Sequence, residues 1–318
     1  MLDNFKIACF TVELSALQPL HLPVYKGSTL RGGFGSVFRR MCCAERRKDC
    51  RGCILQGNCP YFYIFETAPG PDAEVLRGYE SVPRPFILEP PLTEKTTFNA
   101  GESLFFNLVL VGRAIGYLPY FIVAFRELGE VGIGRGRGKF RLAGITARHP
   151  LTRDEQVIFG GDGLVHNVDL SVSFKELESV PHPEGRELQI ELLTMTRLKH
   201  DGHYIDIPHF HVIIRNLLGR ISSLSYFHTG ERLELDFQGL IQAAEQVRLI
   251  SSTVSWVDWE RYSSRQQRRM KLGGMVGTAC YEAPSPKGFT PFWPWLKVGE
   301  LIHLGKNTAF GLGKMRVL

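Results

Sequence analysis

No apolar run in this 318-residue chain approaches the roughly 18 residues of a membrane-spanning helix, and no charged-then-apolar leader opens it. Neither a membrane-embedded nor a secreted protein is expected, and the cytoplasm is the expected location. Cysteine is sparse at seven residues, which in a chain of this size reads as reduced thiols rather than a disulfide framework. The G-x-x-x-x-G-K-[ST] order of a mononucleotide P-loop is absent. So is the paired C-x2-C spacing of the common zinc ribbons. Histidine is nearly missing from the first half: of ten, only His21 precedes His149.

What is present is a 44% hydrophobic composition, enough to bury the cores of two domains. The net charge of +6 is unevenly spread. Residues 31–51 hold seven Lys/Arg against two acids, 126–148 six against two, and 257–275 five against two, so the remainder is acidic. Segregated positive charge points to a polyanionic partner rather than to a membrane.

Periodicity organises the chain into two similar halves. A strand pattern (Phe5 to Leu14) precedes a helix with Leu30, Phe34, Val37, Phe38 and Met41 on one stripe. A cysteine-rich insertion (42–59) and a Pro-rich connection (83–91) follow. Leu104, Phe106, Leu108 and Leu110 then alternate as a strand, and a helix from Tyr117 to Leu128 leads into the run Gly129-Glu-Val-Gly-Ile-Gly-Arg-Gly-Arg-Gly138 and a closing strand. The second half begins with alternating Leu188, Ile190 and Leu192. A helix follows Pro208 with Phe210, Ile213, Ile214, Leu217, Leu218, Ile221 and Leu224 on one stripe, and Asp236 is placed to cap another. A short helix (292–302) then meets the tail His303-Leu-Gly-Lys-Asn-Thr-Ala-Phe-Gly-Leu-Gly-Lys314 and a last strand. Each half thus reads strand, helix, strands, helix, Gly-rich loop, strand. That order predicts an α+β fold of tandem ferredoxin-like (RRM-like) βαββαβ domains at 1–150 and 185–318, joined by a linker at 151–184.

Gly305, Gly311 and Gly313 let the tail's backbone approach a ligand closely, so its amides are expected to cradle phosphate oxygens beside Lys306 and Thr308. If the closing strand of the first half reached back to Arg135, period-2 geometry would place Arg135, Arg137, Lys139 and Arg141 on one face, spaced to follow RNA phosphates. Arg261 and Arg265, beside Ser263, Ser264 and Gln266, form a second cluster suited to phosphates and base edges. Arg31 lies in a helix unusually rich in glycine, which close packing on another backbone or on RNA would justify.

Duplicated ferredoxin-like halves that each end in a glycine-rich loop resemble the RAMP superfamily of CRISPR-associated proteins. Leu30-Arg-Gly-Gly-Phe-Gly35 is similar to that superfamily's first-helix motif. Glu260-Arg-Tyr-Ser-Ser-Arg-Gln266, Leu272-Gly-Gly-Met-Val-Gly277 and the tail resemble the C-terminal half of its precursor-crRNA processing endoribonucleases. The resemblance implies binding of a CRISPR repeat and cleavage of one phosphodiester without a metal ion, leaving a 5′-hydroxyl and a 2′,3′-cyclic phosphate. It also implies other CRISPR-associated effector subunits as partners. The alternative within the same superfamily is a non-catalytic subunit that grips crRNA in an effector complex. A zinc-dependent DNA-binding regulator is disfavoured, because no recognition helix follows Cys59.

Cleavage by the ribose 2′-OH needs a base, an acid and positive charge at the phosphorane. Histidine titrates near neutrality, so it suits the proton steps. His303, beside the tail glycines, is the first candidate, and its alternative role is as a helix-end residue. His21 is the rival, with Tyr25 and Lys26 close behind it. Lys306 is the expected source of stabilising charge. No cofactor is expected for catalysis. Cys43, Cys50, Cys53 and Cys59 supply four thiols within 17 residues, which fits a structural zinc ion, with an iron–sulfur cluster or no metal as alternatives. Such a centre would present Arg46, Arg47, Lys48 and Arg51 to RNA.

Overall fold

The computed structural model describes residues 2–45, 50, 52–69, 82–161, 163–182, 184–263 and 268–318. They form two compact units: Lys6–Val172 with Phe227–Thr229, and Ser173–Tyr226 with Gly230–Leu318 and the first residues through Phe5.

The first unit contains β1 (Lys6–Ala16), β2 (Leu20–His21), α1 (Gly27–Cys42), β3 (Phe86–Glu89), β4 (Thr97–Phe98), β5 (Ser103–Val111), α2 (Leu118–Val131), β6 (Phe140–Arg148), β7 (Glu155–Phe159) and β8 (Val172–Ser173). Its sheet runs β3-β5-β1-β6-β7, with β8 also on β1. Every pairing along that order is antiparallel, which is the strand order of a ferredoxin-like βαββαβ unit with an added edge strand. Alternation builds the sheet: Phe10, Val12 and Leu14 of β1, and Leu104, Phe106, Leu108 and Leu110 of β5, are buried on the helix-covered face. Phe34 of α1 stacks on Phe121 and Phe125 of α2 at centroid separations of 4.7 and 4.9 Å. The glycines of α1 permit that approach. A Cβ on Gly33 would lie 2.9 Å from Leu128 Cδ1, and one on Gly35 would lie 3.0 Å from Phe65 Cε1.

Two expectations are revised. Residues 83–91 are not only a connection, because Phe86–Glu89 is a fully buried strand paired with β5. Residues 151–184 are not a plain linker either: Glu155–Phe159 adds a strand to β6, and Phe174–Glu178 is a helix with a Ser173/Glu176 capping box.

The second unit contains that helix, α3 (Phe174–Glu178), then β9 (Glu187–Thr196), β10 (Lys199–His200), β11 (His203–Tyr204), α4 (Phe210–His228, its last two residues counted with the first unit), α5 (Phe237–Glu245), β12 (Arg248–Ser252), β13 (Ser255–Val257), β14 (Glu260–Ser263), β15 (Arg268–Lys271), β16 (Gly274–Glu282), α6 (Trp293–Ile302) and β17 (Met315–Val317). Its sheet runs β12-β16-β9-β17, repeating the ferredoxin-like order. The stripe read on α4 is buried from Phe210 to Leu224, and Asp236 accepts the Gly239 amide at 2.8 Å as the cap of α5. Among the described residues no helix is long and apolar enough to cross a membrane.

Two glycines in the second unit give opposite expectations. Gly219 is exposed within α4 with nothing within 4 Å of an added Cβ. Gly313 has φ 75°, and a Cβ there would meet the Leu304 carbonyl. Gly219→Ala should raise unfolding free energy by ~0.5–1 kcal/mol, whereas Gly313→Ala should lower it by about 2 kcal/mol or more. Denaturant midpoints measure both.

Candidate functional site

In the first unit the glycine-rich loop folds back on the strand that carries His21. The Arg135 amide donates to the His21 carbonyl at 2.9 Å, and the two residues form an antiparallel bridge. Glycine is required for this contact: a Cβ on Gly134 would lie 2.2 Å from the His21 oxygen, and one on Gly138 would lie 2.4 Å from the Pro19 oxygen. On its other side β2 pairs with β4, placing His21 opposite Thr97, whose Oγ1 is 3.4 Å from His21 Nδ1. Directly paired residues project to the same face. Thr97 and His21, on two neighbouring strands, and Arg135, on the loop bridged to His21, therefore form a row, and both His21 and Arg135 are exposed. Neither Thr97 nor the row was visible in the sequence, because the strands that align it are two residues long.

The expected single-faced strand of cations is corrected. Regular strand begins only at Phe140, and Arg137 has φ 52°, which breaks the alternation. Arg135, Arg137, Lys139 and Arg141 are nonetheless all exposed, the first two on the loop beside His21.

The neighbours expected to serve His21 point elsewhere. Lys26 is buried and its Nζ donates to the Val24 and Thr93 carbonyls, each at 2.8 Å; burial holds its pKa below the ordinary lysine range. Tyr25 is half-buried, and burial, reinforced by the Glu89 carboxylate, pushes its hydroxyl far above the ordinary range. Its proton is therefore not available near neutral pH. Arg31 is half-buried with its guanidinium 5.1 Å from the Phe65 ring centroid, a packing role that does not need RNA.

In the second unit the tail is organised from inside. His303 has no exposed surface; it ends α6 at φ 64°, its amide donates to Gly299, and its Nδ1 lies 3.0 Å from the Leu312 carbonyl oxygen. The structure thus gives it the helix-end role, and an imidazole with no access to solvent cannot meet an RNA ribose. The phosphate cradle is corrected as well. The amides of Leu304, Lys306, Gly311 and Gly313 donate to the carbonyls of Gly313, Arg197, Thr308 and Met195, and Thr308, Gly311 and Gly313 are buried. These glycines admit protein backbone: a Cβ on Gly305 would lie 2.4 Å from the Arg197 oxygen.

Lys306 remains exposed at the turn. Desolvation by the surrounding protein, then repulsion from Lys199 and Arg220, holds its pKa below the ordinary lysine range. Arg220 is buried. Its Nε donates to the Ile302 carbonyl at 3.0 Å, and its Nη2 has no hydrogen-bond partner. Arg197 lies 4.1 Å from the Tyr204 ring centroid. No sequence pattern signalled the Lys199, Arg197 and Arg220 charges around the tail, since they lie on other elements. Nor did any pattern group His200, His209 and His211, whose rings pack at 5.4 and 5.8 Å. Arg261 lies on β14, a strand paired with β15, and Arg265 falls outside the described residues, as do Arg46, Arg47, Lys48 and Arg51.

Cys43, Cys50, Cys53 and Cys59 all line one small cavity with Tyr61 and Phe62. Among the described residues, however, no three His, Cys, Asp or Glu side chains are drawn together as a ligand set. The donor chemistry of a tetrathiolate centre is present and its convergence is not.

Comparison with known proteins follows this division. The AF_1859 N-terminal domain model matches residues 5–170, and the model of the CRISPR-associated endoribonuclease Cas6 matches residues 190–315. An uncharacterized protein of Archaeoglobus fulgidus is 26% identical over 321 residues, covering 97% of this chain and 99% of its own. Among solved structures, a Cas6 product complex is 16% identical with a TM-score of 0.59, covering 98% of this chain and 99% of that one. Thermus thermophilus Cas6 is 14% identical with a TM-score of 0.57, covering 99% of each. At these identities the structures establish a shared fold.

The depressed pKa of Lys306 has a measurable consequence. Its charged form is disfavoured in the folded state, so the penalty is fully present below the folded pKa and vanishes above the ordinary value of 10.5. Lys306→Gln should therefore be more stable than the parent at pH 7, with the difference shrinking as pH rises toward 10.5. Chemical denaturation across a pH series checks the sign.

Proposed function

We propose that the chain, which belongs to the AF_1859 N-terminal-domain family and matches the CRISPR-associated endoribonuclease Cas6 model over residues 190–315, cuts precursor CRISPR RNA within its repeats by metal-independent transesterification. The ribose 2′-oxygen forms a bond to the adjacent phosphorus, and the bond from phosphorus to the 5′-oxygen breaks. The 2′-proton leaves to a base and the departing 5′-oxygen gains a proton, giving a 2′,3′-cyclic phosphate and a 5′-hydroxyl.

The observation that carries this reading is the row Thr97, His21, Arg135, in which His21 and Arg135 are exposed. His21 is the imidazole in it, the side-chain type that serves as general base or acid. Arg135 brings a guanidinium to the same face, suited to the developing negative charge of the phosphorane. Thr97 Oγ1, close to Nδ1, restrains the imidazole. Arg137, Lys139 and Arg141 extend positive charge away from that row, and Lys306 with Lys199 supplies a second phosphate contact on the other unit. Arg261 and Arg265 are assigned to RNA contact on their sequence alone. The location is cytoplasmic in this reading, with crRNA and other CRISPR-associated effector subunits as partners.

A labelled repeat RNA incubated in EDTA tests the proposal. The parent protein should release a cyclic-phosphate product, and His21→Ala should slow release by about 10²–10⁴-fold. His303→Ala should lower thermal stability and leave the rate per folded molecule nearly unchanged. Undiminished cleavage by His21→Ala would overturn the assignment. Repeat binding without any cleavage by the parent would favour a crRNA-gripping subunit.

We also propose a structural zinc ion on Cys43, Cys50, Cys53 and Cys59, supported by four thiols around one cavity. Its place is accessory and no step of the cleavage passes through it. Cobalt(II) added to the reduced protein should give intense thiolate-to-metal absorption that is lost in Cys50→Ser and Cys53→Ser variants. Its absence at stoichiometric metal would remove the site.

A further inference from the structure

The first unit holds a cavity of about 360 Å³ that the cleavage chemistry does not use. One wall is the single-turn segment Gln56–Asn58 of the cysteine-rich insertion, and the other is built by Tyr63, Arg113 and Tyr117. The rings of Tyr63 and Tyr117 lie 5.1 Å apart at an interplanar angle of 33°, and the Arg113 guanidinium carbon is 5.1 Å from the Tyr63 centroid. One Arg113 nitrogen donates to the Phe227 carbonyl at 3.1 Å, which anchors an otherwise exposed side chain.

Three properties of the lining select a ligand. The paired tyrosines and guanidinium offer a stacking surface for a flat π-system. The side-chain amides of Gln56 and Asn58 each carry a donor and an acceptor, the complement of a heterocycle's edge. Among the described residues the lining has one cation, Arg113, and no carboxylate, so an anionic ligand is favoured over a neutral or cationic one. The volume falls within the range of ordinary small-ligand sites, large enough for a base with its sugar and phosphate.

We propose that this cavity binds a nucleotide, its base stacked against Tyr63 and Tyr117, its edge read by Gln56 and Asn58, and its phosphate on Arg113. The ligand is either one unpaired residue of the RNA or a free mononucleotide. The RNA form rests on the function proposed above; the mononucleotide form does not. The site would give the cysteine-rich insertion a role in recognition, since Gln56 and Cys59 line both this cavity and the thiol-lined one.

Two measurements on the full chain separate the sources. Single-stranded RNA carrying 4-thiouridine is photo-crosslinked and the modified peptides mapped; AMP and UMP are titrated calorimetrically in parallel. For the RNA form, crosslinks should fall within residues 56–67 or 113–117, and Tyr117→Ala and Arg113→Gln should each weaken RNA binding about tenfold. Arg113 and Asn58 are exposed, so Arg113→Gln and Asn58→Ala serve if Tyr117→Ala fails to fold. For the free-ligand form, the parent should bind AMP or UMP, and Arg113→Gln should abolish that binding. RNA binding unchanged in the variants, crosslinks confined elsewhere and no mononucleotide binding would together overturn the proposal. If the parent ignored RNA altogether, the function reading would fail and the mononucleotide titration alone would decide the cavity.

Discussion

Each half of this protein reaches its closing strand through a loop whose glycines press against carbonyl oxygens of a neighbouring segment. In the first unit Gly134 and Gly138 face the carbonyls of His21 and Pro19; in the second Gly305 and Gly313 face those of Arg197 and Leu304. No side chain fits in those gaps, and several of the glycines sit at positive φ where other residues are strained. The contact fixes where β6 and β17 enter their sheets. It also decides which neighbouring residues are left at the surface. In the first unit these are His21 and Arg135, whereas in the second Lys306 is left and His303 is enclosed.

The architecture was legible wherever burial imposed a long period. The α4 stripe, the β5 alternation and the Asp236 cap all stand where the pattern put them, and the repeated ferredoxin-like order follows from their sequence. Shorter elements were not legible. Phe86–Glu89 is buried at every position, so no alternation marks it, and prolines on both sides disguise it as a connection. Strands β2 and β4 have two residues each, too few to carry any period.

The candidate site was half legible for a related reason. A glycine-rich stretch says that something approaches the backbone closely, and leaves open whether that is ligand or protein. At the tail it is protein: the amides of Leu304, Lys306, Gly311 and Gly313 are already bonded to carbonyls. Burial then separates the two histidines that sequence could only rank by their neighbours. His303 completes a helix end, and His21 stands on an exposed row. The positive charge around the tail was hidden because Lys199, Arg197 and Arg220 come from elements distant in sequence, with Arg220 buried beneath the surface.

The row proposed for cleavage has little of its own to hold it. Two residue pairs join β2 to β4, and one isolated bridge joins His21 to Arg135. Pairings this short do not persist by their own hydrogen bonds. What supports them is the loop between Gly132 and Gly138, closed on itself by the Ile133–Gly138 bridge and packed at Gly134 and Gly138 against the His21 and Pro19 carbonyls. A histidine that must meet a ribose within a few tenths of an ångström needs such support from its surroundings. The glycines of the first unit are therefore best understood as the part that positions His21. In the proposed mechanism they hold the proton-transfer residue and a guanidinium on one face, and contact with RNA phosphates falls to the cations those glycines separate.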